Sequence, residues 1–367
     1  MIAALEVCVW HTDLVAKHFS SVSIQELDWY KPIGGIGVEL FFVVSGYVMC
    51  LNARRFQSGA AFMLARITRI VPLYWIFTSL VIVAYAINPN WRLGGADFSL
   101  GSLVRSYLIL PQREYPILGV GWSLEHEMIF YALLALLIAT AQPLVRKASV
   151  WIAVLLAAMG TFGFALGTGP VSRVWDFHVL SPYMLLFAFG WLVCSRGNDE
   201  KKGLAALLPL VGILIGVALC VALVTDPRDY MLLFRMVLTA SFFLAVHAAR
   251  AVLEIDTVIN RMASAIADAS YSLYLSHWFV LSAFGKLLGV LHFPASASYA
   301  VRAAGVAACV AVSLLVYRGL EHPIDRFLRG RKPASQRSAP DVAPVVQTPV
   351  PAVAIQSVPR AKTRIVQ

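Results

Sequence analysis

Apolar residues arrive in this chain in long blocks, and nothing else in the sequence constrains the fold as strongly. Stretches of about 17–22 residues recur with few charges, and roughly 20 apolar residues carry a helix across a bilayer. Of 367 residues, 59% are hydrophobic and only 14% charged, against roughly a quarter charged in an average soluble domain. Those proportions exclude disorder for most of the length and argue against a soluble enzyme. The expected architecture is all-α: a polytopic membrane bundle of about ten helices, at 1–18, 34–52, 70–88, 119–140, 148–167, 180–195, 204–224, 233–250, 270–290 and 299–318.

The net charge of +10 invites a nucleic-acid reading until its placement is considered. With ten spans and a cytoplasmic N-terminus, inner loops and tail hold 20 of the 30 Lys and Arg residues. Outer segments hold the remainder, Arg235 and Arg302 among them. A bias of this kind orients a membrane protein with its cation-rich side in the cytoplasm. Both termini are therefore expected there, in a bacterial inner membrane, and no basic-aromatic groove points to nucleic acid. The five cysteines form no Cys-x-x-Cys pair and no Cys/His cluster of zinc spacing, so they read as packing residues and no metal is expected. The first 19 residues lack a basic start and a small-residue cleavage site, so they read as a span and not a signal peptide.

The longest outer loop is expected at 89–118, where Pro89, Pro111 and Pro116 form turns; it is either a cover for an outward-facing cavity or a linker. After about Gly330 the composition changes. Residues 331–367 hold six of the eighteen prolines and no aromatic residue, the pattern of a disordered cytoplasmic tail behind a membrane domain at 1–330.

Ionisable side chains inside a span cost energy, so they mark a protein interior or a water-filled cavity. Four spans contain them: Glu6 and His11 in the first, Glu39 in the second, Glu125, His126 and Glu127 in the fourth, and His277 in the ninth. Their sharing of this feature points to one polar cavity able to do acid-base work, with imidazole moving a proton and a carboxylate orienting it. Arg66 and Arg69 lie three apart on one helical face at the inner end of the third span. Two such guanidiniums suit phosphates and equally suit a positive-inside anchor.

At these residues the chain resembles acyltransferase family three, the polytopic O-acyltransferases of bacterial surface and secreted carbohydrates. The resemblance runs from Met1 to about Asp325. His11 looks like the first-span histidine, and Gly37 to Gly46 resembles the second-span signature, with Glu39 as its acid. Arg66-x-x-Arg69 with Pro72 and Tyr74 is similar to the basic motif opening span three. Trp122-Ser123-Leu124, Glu127 and Phe130-Tyr131 resemble the span-four signature. Ser270 to Leu275 with His277, and Glu321-x-Pro323, resemble the closing elements.

The resemblance implies acetyl-coenzyme A as donor, a carbohydrate or lipo-oligosaccharide as acceptor, and His11 as the main acid-base group. It implies Arg66 and Arg69 on the donor's phosphates, and Glu39 or Glu127 in the reaction cavity. Trp122, Ser123, Tyr271, Tyr274 and His277 are the expected substrate-contacting residues. Glu39, with Glu127 as the alternative, is the expected partner of His11. Within the family the chain looks most like the rhizobial branch acting on nodulation factors and exopolysaccharide. The family's Arg eleven positions before the histidine would fall one residue before Met1, so either the start given is late or that cation is lacking, and the chain departs from the family in carrying an acid at Glu6. The competing reading is a transporter or flippase of an acylated glycan, for which the repeated halves of many transporters are not evident.

Overall fold

The computed structural model describes residues 1–19, 30, 34–89, 98–166, 178–196, 227–248, 258–290 and 297–330. Along these run α1 (Ile2–Phe19), α2 (Ile36–Ala53), α3 (Gly59–Ile87), α4 (Leu100–Leu108), α5 (Trp122–Thr140), α6 (Gln142–Arg146), α7 (Val150–Leu166) and α8 (Met184–Arg196). They continue with α9 (Pro227–Ala248), α10 (Val258–Asp268), α11 (Ser270–Val290), α12 (Ser298–Val316) and α13 (His322–Gly330). No strand occurs among the described residues. An all-helical answer follows from the solvent, because lipid offers no partner for backbone N–H and C=O groups and a helix satisfies them within its own segment.

Among the described residues five helical stretches are long and apolar enough to cross a membrane: Ile36–Ala53, Gly59–Ile87, Gly119–Thr140, Tyr230–His247 and Ser298–Leu328. α1 and α11 are 18 and 21 residues long. Those two carry His11 and His277. The expected span 204–224 and the tail 331–367 lie outside the described residues.

Two helix boundaries differ from expectation for physical reasons. α3 begins at Gly59, capped by the Ser58 hydroxyl, which accepts from the Ala61 N–H at 3.5 Å. Arg66 and Arg69 interrupt its apolar run, so the helix starts well before the expected span at 70, with both arginines on it as their spacing suggested. The outer stretch is no simple loop. α4 occupies part of it, and the chain then turns back so that Pro111, Gln112 and Pro116 to Leu118 are buried while Arg113, Glu114 and Tyr115 stay exposed. Arg235 and Arg302, counted with the outer loops, lie within α9 and α12. Arg302 is 8% exposed and its Nη2 meets the Asp13 carboxylate at 2.7 Å, with Thr12 accepting from Nη1 at 3.0 Å.

Close backbone approach fixes the position of α2. A side chain on Gly46 would meet the backbone of Phe187 on α8, and one on Gly190 of α8 would meet Val43 and Tyr47 of α2. Small residues on both partners let the helices touch, which is how membrane helices gain packing energy without a hydrophobic drive between them. Beside this seam Phe42 packs on Tyr183 and Phe187 at ring-centroid distances of 5.0 Å each. The N-terminus of α2 is held from α1: both oxygens of Glu6 accept backbone N–H groups, Gly35 at 2.9 Å and Gly37 at 2.5 Å, and the Tyr30 hydroxyl donates to Glu6 at 2.6 Å. A carboxylate there satisfies free N–H donors and faces the positive end of the helix dipole. Gly35 sits at φ 92°, a left-handed conformation that favours glycine.

α12 runs into a π-helical turn, Tyr317–Glu321, before α13 begins. The turn delivers Glu321 into the protein at 3% exposure. Its Oε2 accepts from the Ser272 N–H at 3.1 Å and from the Ser272 hydroxyl, and its Oε1 pairs with Arg69 Nη1 at 2.7 Å. One carboxylate thus ties α3, α11 and the end of α12 together.

Candidate active site

His11 and His277 meet where α1 crosses α11. The Nδ1 of His11 lies 2.8 Å from the Val7 carbonyl, and the Nδ1 of His277 lies 3.2 Å from the Leu273 carbonyl. A carbonyl oxygen only accepts, so both Nδ1 atoms carry hydrogen. The Nε2 of His277 is then an acceptor, and it faces the Nδ1–H of His11 at 3.3 Å. His11 consequently has its donor nitrogen shared between two acceptors, while its Nε2 keeps a lone pair with no partner among the described residues. Trp278 sets its edge against the His11 ring at 5.0 Å, and the Cys309 thiol donates to the His277 carbonyl at 3.8 Å. The partner expected for His11 was a carboxylate. Among the described residues neither Glu39 nor Glu127 bonds to it, and the other imidazole takes that place.

The two carboxylates have separate surroundings. Glu127, 3% exposed, accepts from the Ser45 hydroxyl at 2.8 Å and from Tyr131. Glu39, 2% exposed, faces Arg235 of α9, with Nε 3.1 Å from Oε1. The other oxygen of Glu39 has no hydrogen-bond partner among the described residues.

The hydroxyls of the expected substrate-contacting residues on α5 and α11 are engaged within the protein. Tyr274 donates to the Val120 carbonyl at 2.7 Å, and the Ser123 hydroxyl closes a triangle with it at 2.6 Å. Tyr271 donates to the Ile70 carbonyl at 2.8 Å. These bonds hold α11 against α5 and α3 and so fix where His277 stands. Trp122 remains partly exposed, with Tyr183 at 5.7 Å and His126 at 5.8 Å.

Arg66 lies over the Phe62 ring at 5.8 Å, its Nε buried without a partner. Arg69 stays 36% exposed while paired with Glu321. Among the described residues no group of three or more His, Cys, Asp or Glu side chains is arranged to hold a metal ion.

A second histidine cluster was not expected. His178 Nε2 meets Glu125 Oε2 at 2.9 Å, and the other oxygen of Glu125 accepts from the Gln112 amide at 2.9 Å. Gln112 is held in turn by Ser102 and Ser106, and the His126 ring packs on His178 at 4.4 Å. Glu125 was visible as an ionisable residue in a span, but the spans chosen left His178 just outside one. Arg235 carried the same signal as His11, an ionisable group inside an apolar run, and was set aside as a loop cation.

Comparison with known proteins bears on this geometry. A family model described as an acyltransferase domain, that of acyltransferase family three, matches residues 1–318. The chain belongs to this family. It is an acyltransferase, as the motifs suggested. The exopolysaccharide production protein ExoZ of Rhizobium meliloti is 28% identical over 320 residues, which is 82% of this chain and 92% of that protein. The acyltransferase MdmB of Streptomyces mycarofaciens is 23% identical over 337 residues, 85% of each chain. No solved structure matches. In this family-three chain the matched region contains both histidine clusters, the Glu39–Arg235 pair and the arginines of α3.

Proposed function

We propose that the chain is a multi-pass inner-membrane O-acetyltransferase, both termini cytoplasmic, that moves an acetyl group from acetyl-coenzyme A to a hydroxyl of an exopolysaccharide or related carbohydrate. The observation that carries this reading is the state of His11: Nδ1–H held by Val7 and His277, Nε2 left with a lone pair. An imidazole fixed in that tautomer accepts the acceptor's hydroxyl proton at Nε2 as the oxygen attacks the thioester carbonyl. When the tetrahedral intermediate collapses and the carbon–sulfur bond breaks, the same nitrogen returns the proton to the leaving thiolate. His277 stabilises the imidazolium through its Nε2 acceptor.

Arg66 and Arg69 would hold the donor's phosphates, with Arg69 leaving Glu321 to do so. Glu39 and Glu127 would line the reaction region, and residues 1–330 would form the catalytic unit. The polysaccharide acceptor is supported by the name of the Rhizobium relative; a nodulation factor has no comparable support.

The test uses the full-length chain purified in detergent with radiolabelled acetyl-coenzyme A and alkali-deacetylated exopolysaccharide from the host. Base-labile label on the polysaccharide is expected. Lys at Arg66 or Arg69 keeps the charge but loses the planar fork, so the KM for acetyl-coenzyme A should rise while kcat changes little. Absence of label from wild type, with the polysaccharide translocated in vesicles, would replace the enzyme by a transporter.

A further inference from the structure

The Glu39–Arg235 pair is an ion pair with spare capacity on both sides. Glu39 is 2% exposed, yet its Oε2 has no hydrogen-bond partner among the described residues. The Arg235 Nε lies 3.1 Å from Oε1 but outside hydrogen-bond alignment, and its side chain remains 26% exposed. Its Nη1 lies 3.5 Å from where a side chain on Gly35, in the turn that begins α2, would start. A charge pair built only for stability closes its carboxylate in a bidentate fork and leaves no lone pair dry. This one leaves a buried acceptor and guanidinium donors side by side.

The surroundings narrow what would fill that gap. Tyr183 lies close enough to feel the charges of both Glu39 and Arg235, with its ring 5.0 Å from Phe42 and 5.7 Å from the partly exposed Trp122. Aromatic faces beside a planar donor fork and a free carboxylate oxygen suit a sugar ring: the apolar C–H face packs on the rings. Two neighbouring hydroxyls then complete the polar side, one accepting from guanidinium N–H and the other donating to Oε2. A phosphate or carboxylate ligand fits worse, because Glu39 would repel it.

We propose that Arg235, with Glu39 and the Trp122–Tyr183 wall, forms the subsite that grips a vicinal diol of the acceptor saccharide, making Arg235 a specificity-determining residue. This rests on the carbohydrate acceptor of the preceding section. Arg235 orients the sugar whose neighbouring hydroxyl reacts, and it takes no part in proton transfer.

The experiment measures kinetics and binding on the full-length protein in detergent. The probe is the set of oligosaccharides released from the host's alkali-deacetylated exopolysaccharide, and binding is followed by tryptophan fluorescence. Arg235→Lys keeps a counter-charge for Glu39, which guards folding, and should raise the acceptor KM about tenfold; Arg235→Gln should raise it on the order of a hundredfold, the range expected for lost charge-assisted hydrogen bonds. The KM for acetyl-coenzyme A should not move in either. Oligosaccharides whose vicinal diols have been opened by periodate and reduced should bind wild type at least tenfold more weakly, and the Arg235→Gln protein should not distinguish them from untreated ones. Acceptor KM values matching wild type in both variants, or equal binding of treated and untreated sugars by wild type, would overturn the subsite while leaving the enzyme in place. Wild type that binds the untreated sugars in a diol-dependent way but transfers no acetyl group would overturn the acetyltransferase reading and support the subsite.

Discussion

Among the described residues lie two buried histidine clusters, and they differ in whether a carboxylate holds the imidazole. In the first, His11 and His277 have only backbone carbonyls and each other, and His11 keeps an unengaged nitrogen. In the second, Glu125 gives one oxygen to His178 and the other to Gln112, which two serines hold in turn. A carboxylate with both oxygens engaged rigidifies the protein around it, here pinning the buried stretch around Gln112 to α5. An imidazole with a lone pair to spare can still take a proton. On the proposed mechanism the same residue type serves as a clamp in one place and as a reactive group in the other, and neighbours decide which.

The comparison breaks most easily at His11. His11→Gln keeps a hydrogen-bonding side chain but cannot carry a proton near neutral pH, so acetyl transfer should fall by about 100- to 10,000-fold. Protein abundance in the membrane should stay normal. Transfer within tenfold of wild type, measured per inserted molecule, would move the chemistry elsewhere. The opposite signature is expected of Glu125→Ala. Removing that carboxylate strands the His178 and Gln112 donors in the interior at about 1–3 kcal/mol for each group. Thermal unfolding in detergent should show the loss, while the rate per folded molecule stays within a few-fold of wild type; an unshifted melt with a collapsed rate would exchange the roles of the two clusters.

Smaller effects sharpen the contrast. His277→Gln can still offer an oxygen to the His11 Nδ1–H, so the rate should drop no more than about tenfold, equivalent to about 1.4 kcal/mol. His277→Leu, which offers nothing, should cost more, and the ratio of the two rates isolates the acceptor. Least is expected of Tyr274→Phe. It removes the bonds to Val120 and Ser123, about 1 kcal/mol of stability each, with little change in rate if the tyrosine only sets the position of α11.

How far the sequence revealed these features depended on whether the signal was local. His11 stood out because one ionisable residue in an apolar run is visible within that run, and the helical class followed from the apolar blocks. Pairings did not. Glu39 meets a guanidinium on α9, and Glu321 reaches Arg69 across most of the chain. Nothing in either segment names the other. The inner end of α3 was missed because Arg66 and Arg69 lower hydropathy where Ser58 already caps a helix. Assigning His11 a carboxylate partner failed differently: it borrowed the logic of soluble triads, whereas the second imidazole avoids placing a formal charge beside the ring.

The π-helical turn at Tyr317–Glu321 gives this part of the chain a tolerance of length that a plain α-helix lacks. A π turn is an α-helix carrying a surplus residue. Deleting Gly319, beside which nothing packs, would remove that surplus and leave a continuous α-helix with good backbone bonding. Each residue of an α-helix advances about 100° around the axis. The same deletion inside α12 would therefore rotate every side chain beyond it by that amount, whereas here the wider turn takes up the difference and α13 keeps its direction. One residue lost at this turn is a local repair, and one lost a few positions earlier is a rotation.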